Sequence, residues 1–269
     1  MTMIAFIGGG NMASAVIGGL RRSGHPADAI VVVDPGAAQR ERLARDFGVT
    51  TLPAADPTLA QAGIVVWAVK PQLFAEAAAP CARHVAGALQ LSVMAGIRSE
   101  ALVRATGSER IVRAMPNTPA LVGQGMTGLF ARAAVHADER AHVDAVLAPT
   151  GRLMWVDREA DLDAVTALSG SGPAYVFYFV EAMMAAAEQM GLSAEQGKQL
   201  ALGTFAGATA LAQASAEAPS LLRERVTSKG GTTHAAITAL EAGGVQAAFI
   251  AAMRAAERRA RELGDEFGA

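Results

Sequence analysis

A glycine-rich segment near the start of the chain has the residue types and spacing of a dinucleotide-binding turn. Residues 8–13 read G-x-G-x-x-A and lie between an apolar run, residues 4–7, and a stretch of helical character. Gly8 would permit the tight turn, Gly10 the close approach of a pyrophosphate, and Ala13 the close packing of helix on strand. A purely structural glycine turn is the alternative. The segment predicts that NAD or NADP is bound by Gly8, Gly9, Gly10, Asn11, Met12 and Ala13.

An acidic residue follows the second apolar run, residues 30–33. The carboxylate of Asp34 can accept hydrogen bonds from both ribose hydroxyls, which favours NAD, and it would repel the 2′-phosphate of NADP. Arg40 and Arg42, on the helix predicted to follow, could offset that repulsion or simply face solvent. Asp34 is therefore a predicted cofactor contact, and the choice between NAD and NADP stays open at this point.

Three further turns follow the apolar runs at residues 64–68, 89–93 and 111–114. Ligands of open α/β sheets bind outside the carboxyl ends of the strands, so these turns should line the cofactor. Lys70 could instead be an ordinary surface lysine. In the third turn, Asn117 and Thr118 could hydrogen-bond a carboxamide or a substrate, with a plain proline-directed turn as the alternative. The predicted cofactor contacts of these turns are Ala68, Val69, Lys70, Pro71, Ala95, Gly96 and Asn117.

A second cluster of glycines and hydroxyls lies in the C-terminal half of the chain. Residues 227–233 read T-S-K-G-G-T-T and lead directly into a helical stretch, residues 234–241. Backbone N–H groups, hydroxyls and the helix N-terminus would together hold a carboxylate or a phosphate; an ordinary helix cap is the alternative. Residues 168–174, L-S-G-S-G-P-A, interrupt another helix, and Pro173 suits the first position of the helix that resumes there.

The elements that must position these residues change in character along the chain. Up to about residue 157, short β-branched runs alternate with helical stretches, and several runs are apolar at every residue, as in strands covered on both faces. From residue 161 onward the pattern is almost only helical, with breaks at residues 169–173, 191–192, 219, 227–233 and 243–244. The sequence predicts a doubly wound Rossmann-type α/β domain, residues 1–157, and a smaller all-α domain, residues 158–269.

Composition excludes several classes of protein. With 23 basic and 25 acidic residues among 269, the chain lacks the positive charge of a nucleic-acid binder, and 52% hydrophobic content excludes disorder. Cys81 is the single cysteine and no metal-ligand spacing occurs, so neither disulfides nor a metal site is expected. No signal peptide or membrane span is indicated, which predicts a cytoplasmic protein. The helices of the second half are so apolar that subunit association is expected.

Taken together, these motifs resemble the pyrroline-5-carboxylate reductase family over nearly the whole chain. The resemblance rests on G-x-G-N-M at residues 8–12, A-V-K-P at 68–71, M-P-N-T-P at 115–119, L-S-G-S-G-P-A-Y at 168–175 and G-G-T-T at 230–233. It implies reduction of 1-pyrroline-5-carboxylate to L-proline by NADH or NADPH, the last step of proline biosynthesis. It also implies homodimers that interlock through the helical domain, sometimes assembled into decamers.

The resemblance also implies roles for individual residues. Asn117 would lie near the nicotinamide, and the hydroxyl of Thr233, the implied catalytic residue, near the nitrogen of the substrate ring. Two residues depart from the family pattern: Asp34 stands where a neutral residue is frequent, and Lys229 where a proline is commoner. Asp34 puts a preference for NADP in doubt, and Lys229 either attracts the substrate or points to solvent. The implied substrate contacts are Gly230, Gly231, Thr232, Thr233 and Ser171.

Two other functions remain open from the sequence. A β-hydroxyacid-type dehydrogenase shares the order of a Rossmann domain followed by helices, but it needs a general base, and no histidine of the chain is a convincing candidate. Reduction of a protonated imine needs no such base, because the electrophile already carries a positive charge. A non-catalytic nucleotide-sensing dimer is the third hypothesis.

Overall fold

The computed structural model describes residues 2–268 and divides into two compact units. The first contains the residues up to Pro173 together with those from Ala255 onward, and the second is Ala174–Arg254. The domain division at residues 157 and 158 stays a prediction from the sequence.

The first unit is built on a single eight-stranded sheet in the order β3-β2-β1-β4-β5-β6-β7-β8. Neighbouring strands are parallel except for the antiparallel pair β6 and β7. The order reverses between β1 and β4, which is where doubly wound folds bind ligands. The fold class predicted from the sequence is therefore confirmed. The strands are β1 Met3–Ile7, β2 Ile30–Val33, β3 Thr50–Leu52, β4 Ala62–Trp67, β5 Leu89–Ser92, β6 Ile111–Met115, β7 Gly125–Ala131 and β8 Gly151–Trp155.

Strands β1 and β2 are apolar at every residue because both faces of the sheet are covered. Side chains alternate between the two faces along a strand. In β1, Ile4 and Phe6 join one core cluster and Ala5 and Ile7 join the other, all of them at most 2% exposed. The same alternation continues in β2 and β4, so the expected two-sided burial is confirmed.

The edge strand β3 was not predicted from the sequence, and some strand ends were misplaced. The missed strand, β3, has only three residues, begins with the exposed Thr50 and lies at the edge of the sheet, so it carries no apolar pattern. The runs predicted to end at residues 68 and 93 end one residue earlier, at Trp67 and Ser92, where the chain turns away from the sheet.

Helices flank the sheet and form the whole of the second unit. Breaks were expected at residues 219 and 243–244, and helices do begin at Pro219 and Val245. Ser193 and Gln196 form a capping box, since they exchange side-chain to backbone hydrogen bonds. The helices are α1 Asn11–Arg22, α2 Ala37–Phe47, α3 Phe74–Val85, α4 Ser99–Thr106, α5 Ala137–Leu147, α6 Asp161–Val165, α7 Gly172–Gln189, α8 Ala194–Ala214, α9 Pro219–Arg225, α10 Thr232–Ala242 and α11 Val245–Gly268.

The helical unit buries few apolar side chains within the single chain. Among its residues, the only hydrophobic side chains less than 9% exposed are Val180, Ala187 and Ala201. Within residues 2–268, no single helix is long and apolar enough to cross a membrane; α10 and α11, bent by 55° at their junction, pass that length and composition test only as a pair.

Two ion pairs fix the segment that leads from β8 into α6. The guanidinium of Arg113, 5% exposed, lies 2.8 Å from the carboxylate of Glu159, and Arg98 pairs with Asp163 at 3.0 Å. Glu159 also accepts hydrogen bonds from the backbone N–H and hydroxyl of Ser99, both at 2.6 Å. Burial raises the pKa of Glu159, but the bonds from Ser99 and Arg113 outweigh it and hold that pKa below its usual value. The start of α6 is thus anchored to β6 and α4.

Candidate active site

Most of the predicted cofactor residues follow the carboxyl ends of parallel strands and therefore lie along one edge of the sheet. Backbone hydrogen bonds tie these turns to neighbouring strands: Gly8 donates to Val33 at 2.8 Å, and Ala68 donates to Ile7 at 2.8 Å. The structure thus brings residues 8–13, Asp34 and residues 68–71 together, as the sequence predicted.

Gly8 is required by the tight turn at the end of β1. Its φ is +95°, a backbone conformation that residues with a side chain rarely adopt. A Cβ at Gly8 would lie 2.7 Å from the carbonyl oxygen of Ala68. The same Cβ would lie 2.9 Å from Cγ1 of Val69. The turn therefore packs directly against the segment that follows β4.

Gly10 differs from Gly8 because the space beside it is open. It is the N-cap of α1, no side chain caps this helix, and a Cβ at Gly10 would meet nothing within 4 Å. The N–H groups of the first helical turn, from Asn11 to the buried Ala13, have no partner within a helix. Open space in front of an uncapped helix N-terminus fits the diphosphate of a dinucleotide.

Asp34 is held in a fixed position between two turns. One carboxylate oxygen accepts the N–H of Gly9 and the other the N–H of Gly36, both at 2.8 Å. Arg40 donates to the backbone carbonyls of Asp34 and Pro35, at 2.8 and 2.9 Å. Each carboxylate oxygen keeps a further lone pair, so Asp34 can still accept hydrogen bonds from a ribose.

The turns after β4 and β5 differ in how they are built. Lys70 is exposed and starts a short 3-10 helix, Pro71–Leu73. Ala95 is partly buried. Gly96 has a φ of +76°, and a Cβ there would lie 3.2 Å from the carbonyl oxygen of Leu263 in α11. The positive φ and the contact with α11 together account for glycine at position 96. The contacts of Lys70, Ala95 and Gly96 with a cofactor stay predictions.

Asn117 directs its side-chain amide into the protein. Its Nδ2 donates to the backbone carbonyl of Ser169 at 3.1 Å, and its Oδ1 accepts the N–H of Met126 at 2.9 Å. Ser169 belongs to a π-helical turn, Thr166–Gly170, and the N–H of Ser171 closes that turn by donating to Thr166 at 2.9 Å. The sequence motifs at residues 115–119 and 168–175 therefore contact each other.

The second anion-binding candidate lies wholly in the helical unit. Gly230 has a φ of +77°, and Gly231 is the N-cap of α10 and donates its N–H to Ser228 at 3.0 Å. No side chain caps α10. Thr232 is exposed and Thr233 is partly buried. The free N–H groups and hydroxyls at the start of this eleven-residue helix can bind a carboxylate.

Two residues beside these turns were missed in the sequence reading. Gln39 of α2 donates to the backbone carbonyl of Gly9. Leu43 of the same helix packs against Gly9, since a Cβ at Gly9 would lie 2.6 Å from the Cδ1 atom of Leu43. Both stand on a helix face with ordinary spacing, so no signal in the sequence identifies them. Within residues 2–268, no three His, Cys, Asp or Glu side chains are placed to hold a metal ion.

Comparison with known proteins identifies both parts of the chain. Residues 159–263 match the family described as pyrroline-5-carboxylate reductase dimerisation, and residues 3–96 match NADP oxidoreductase, coenzyme F420-dependent. The chain therefore carries a dimerisation region.

Full-length relatives extend this result to the whole chain. A pyrroline-5-carboxylate reductase of Pseudomonas aeruginosa is 44% identical, with 98% of each chain covered. The structure of a pyrroline-5-carboxylate reductase from Coxiella burnetii is 37% identical with a TM-score of 0.91, covering 97% of this chain and 98% of that one. A Plasmodium falciparum pyrroline carboxylate reductase with NADP bound is 27% identical with a TM-score of 0.87, covering 98% of both chains. The resemblance inferred from the motifs is confirmed: the chain belongs to the pyrroline-5-carboxylate reductase family.

Proposed function

We propose that this protein reduces the C=N bond of 1-pyrroline-5-carboxylate to give L-proline, with NADH or NADPH as the electron donor. The imine carbon gains a hydride and the ring nitrogen keeps the proton that makes it an iminium. The observation that carries the proposal is the uncapped N-terminus of α10 behind Gly230 and Gly231, in a chain that matches reductases over its full length. A carboxylate is the group of the substrate that such a helix start binds.

The roles at the sheet edge follow from the geometry of the turns. The N–H groups at the start of α1 would bind the diphosphate, with Gly10 leaving room for it and Gly8 holding the turn against Ala68. The carboxylate of Asp34 would accept hydrogen bonds from the hydroxyls of the adenosine ribose. When bound, the reduced nicotinamide supplies the hydride.

The roles at the second turn concern the substrate. Gly230, Gly231 and Thr232 would hold the carboxylate through backbone N–H groups and a hydroxyl, and the hydroxyl of Thr233 would hydrogen-bond the ring nitrogen. Each charge-assisted hydrogen bond is worth about 1.5–3 kcal/mol, so two or three suffice to orient a small acid. The partly buried Ser171 is proposed as a further substrate contact. No general base is required, because the iminium is already the electrophile.

The test is a steady-state assay of the full chain with 1-pyrroline-5-carboxylate and each reduced nicotinamide cofactor. We expect loss of nicotinamide absorbance that depends on the imine, with L-proline as the product. Turnover of a 3-hydroxy acid with NAD or NADP, and none of the imine, would establish the dehydrogenase instead. Tight cofactor binding without a single turnover of either substrate would establish the nucleotide sensor.

Asp34 is expected to oppose NADPH. A carboxylate near a phosphate in water or at a protein surface costs about 1–4 kcal/mol, which corresponds to roughly fivefold to several hundredfold in relative affinity. We therefore expect Asp34→Ser to shift the ratio of kcat/KM for NADPH over NADH upward by about tenfold. The matched variant Asp34→Asn keeps an acceptor for the N–H of Gly9 but removes the charge, and it should shift the ratio in the same direction. An unchanged ratio in both variants would show that Asp34 does not read the ribose.

We also propose that the chain forms a homodimer through its helical unit, and that dimers can assemble into a decamer. Support comes from the three buried hydrophobic side chains of that unit and from large apolar side chains that it exposes. Patches of this kind are covered in oligomers. Exposed examples are Val176, Phe177, Tyr178, Leu200, Leu211 and Ile250.

Sedimentation of the full chain tests this assembly. At micromolar concentration we expect a mass at least twice that of one chain, and a Tm that rises with protein concentration because dissociation accompanies unfolding. A folded monomer with a concentration-independent Tm would contradict the proposal. A species of ten chains would establish the larger assembly, and a discrete dimer would exclude it under those conditions.

A further inference from the structure

At the π-helical turn before α7, Pro173 denies one backbone carbonyl the N–H that an α-helix would normally supply. Pro173 is the second residue of α7, and proline has no N–H to donate to the carbonyl four residues earlier. That carbonyl belongs to Ser169. It is partly buried, so a hydrogen bond from another group stabilises it.

Asn117 supplies that hydrogen bond from 52 residues away in the chain. Its Nδ2 lies 3.1 Å from the carbonyl oxygen of Ser169, while its Oδ1 accepts the backbone N–H of Met126 at 2.9 Å. The hydroxyl of Ser169 completes a ring by donating to the carbonyl of Met126 at 3.2 Å. Both ends of the Asn117 amide are therefore engaged within the protein.

The ring connects three segments of the first unit through side-chain hydrogen bonds. Asn117 directly precedes the 3-10 helix Thr118–Val122, Met126 lies in β7, and Ser169 lies in the turn immediately before Ser171 and Gly172. Met115 packs against the same turn, since a Cβ at Gly170 would lie 2.6 Å from the Cε atom of Met115. Turns with π geometry are concentrated at functional sites.

We propose that Asn117 is a positioning residue, which fixes the Ser169–Gly172 turn by satisfying the carbonyl that Pro173 leaves free, and is not itself a ligand of the nicotinamide carboxamide. This inference rests on the proposed function, in which Ser171 contacts the substrate. The amide nitrogen lies 3.1 Å from the carbonyl oxygen and 3.4 Å from the hydroxyl oxygen of Ser169, and Oδ1 accepts from Met126, so the amide offers a cofactor at most the second lone pair of Oδ1. Asn117 instead affects the site through the backbone of the turn that it holds in place.

The test compares Asn117→Asp with the double variant Asn117→Asp/Pro173→Ala. Aspartate keeps the acceptor for Met126 but places an oxygen against the carbonyl of Ser169. We expect kcat/KM for the imine to fall about tenfold or more, while the dissociation constant of NADPH, followed by its fluorescence, changes less than about twofold. Alanine at position 173 restores an N–H to the helix, so the double variant should recover most of the loss.

Each alternative gives a different result. A direct carboxamide contact predicts that Asn117→Asp weakens NADPH binding about tenfold and that Pro173→Ala restores nothing. Backbone amide exchange at residues 166–174 reports the turn itself and should accelerate in Asn117→Asp; unchanged exchange and unchanged kinetics would overturn the proposal. If Asn117→Asp does not fold, Asn117→Ala with and without Pro173→Ala gives the same comparison. An inactive wild-type protein would instead reject the proposed function, and amide exchange would still decide the role of Asn117.

Discussion

Replacing Thr233 with alanine is expected to lower kcat/KM for 1-pyrroline-5-carboxylate by about 10- to 150-fold, the equivalent of one charge-assisted hydrogen bond of roughly 1.5–3 kcal/mol. Thr233 is the second residue of α10, partly buried and close to the Gly231 N-cap. Its hydroxyl is proposed to contact the ring nitrogen, whose environment changes during the reaction. The cofactor is bound elsewhere in this proposal, so the dissociation constant of NADPH should change less than about twofold.

The matched variant Thr233→Ser keeps the hydroxyl and loses only a methyl group. It should retain most of the activity, and both variants should unfold at nearly the wild-type Tm, since no side chain caps α10 in the native protein. Equal losses of imine turnover and NADPH affinity in Thr233→Ala would contradict the assigned role. So would an equal loss in Thr233→Ser, because the hydroxyl is the group held responsible.

A side chain added at two neighbouring glycines should affect different properties: NADPH affinity at Gly10 and stability at Gly8. Gly10→Val places its side chain in the open space before α1, so we expect NADPH affinity to fall about 100-fold or more, from the loss of two hydrogen bonds of ~1.5–3 kcal/mol each. Stability should fall by no more than about 1 kcal/mol, the usual effect at an N-cap. Gly8→Ala instead forces a Cβ against Ala68 at a φ of +95° and should cost about 2–4 kcal/mol of unfolding free energy.

Thermal unfolding and fluorescence titration with NADPH separate these effects. Gly87→Val serves as the control for Gly10→Val, because a Cβ at Gly87 also meets nothing within 4 Å but no cofactor is proposed there. It should bind NADPH as the wild type does. If Gly10→Val binds NADPH normally, the diphosphate does not lie before α1. If Gly8→Ala keeps the wild-type Tm, the turn is more adaptable than its backbone geometry indicates.

The sequence alone was sufficient to predict most of the sheet, the glycine turn before α1 and the start of α10 to within two residues. Fully apolar runs identify strands buried on both faces, and glycine clusters placed before helices identify turns that expose backbone N–H groups. These are local properties, set by residue type and by spacing over fewer than ten positions. The edge strand β3 escaped because three partly exposed residues, Thr50–Leu52, carry no such pattern.

Tertiary structure decided where individual side chains point. The motif around Asn117 left a ligand contact and a plain turn equally open, and only the fold brings its amide to Ser169, 52 residues away. Gly96 is a second example. The need for glycine at this position comes partly from the close approach of Leu263, which lies near the other end of the chain. Asp34 was predicted as a cofactor contact, but its fixation by Gly9 and Gly36 appeared only in three dimensions. Local spacing determines which backbone groups are free, whereas the direction of a side chain depends on partners that no local pattern contains.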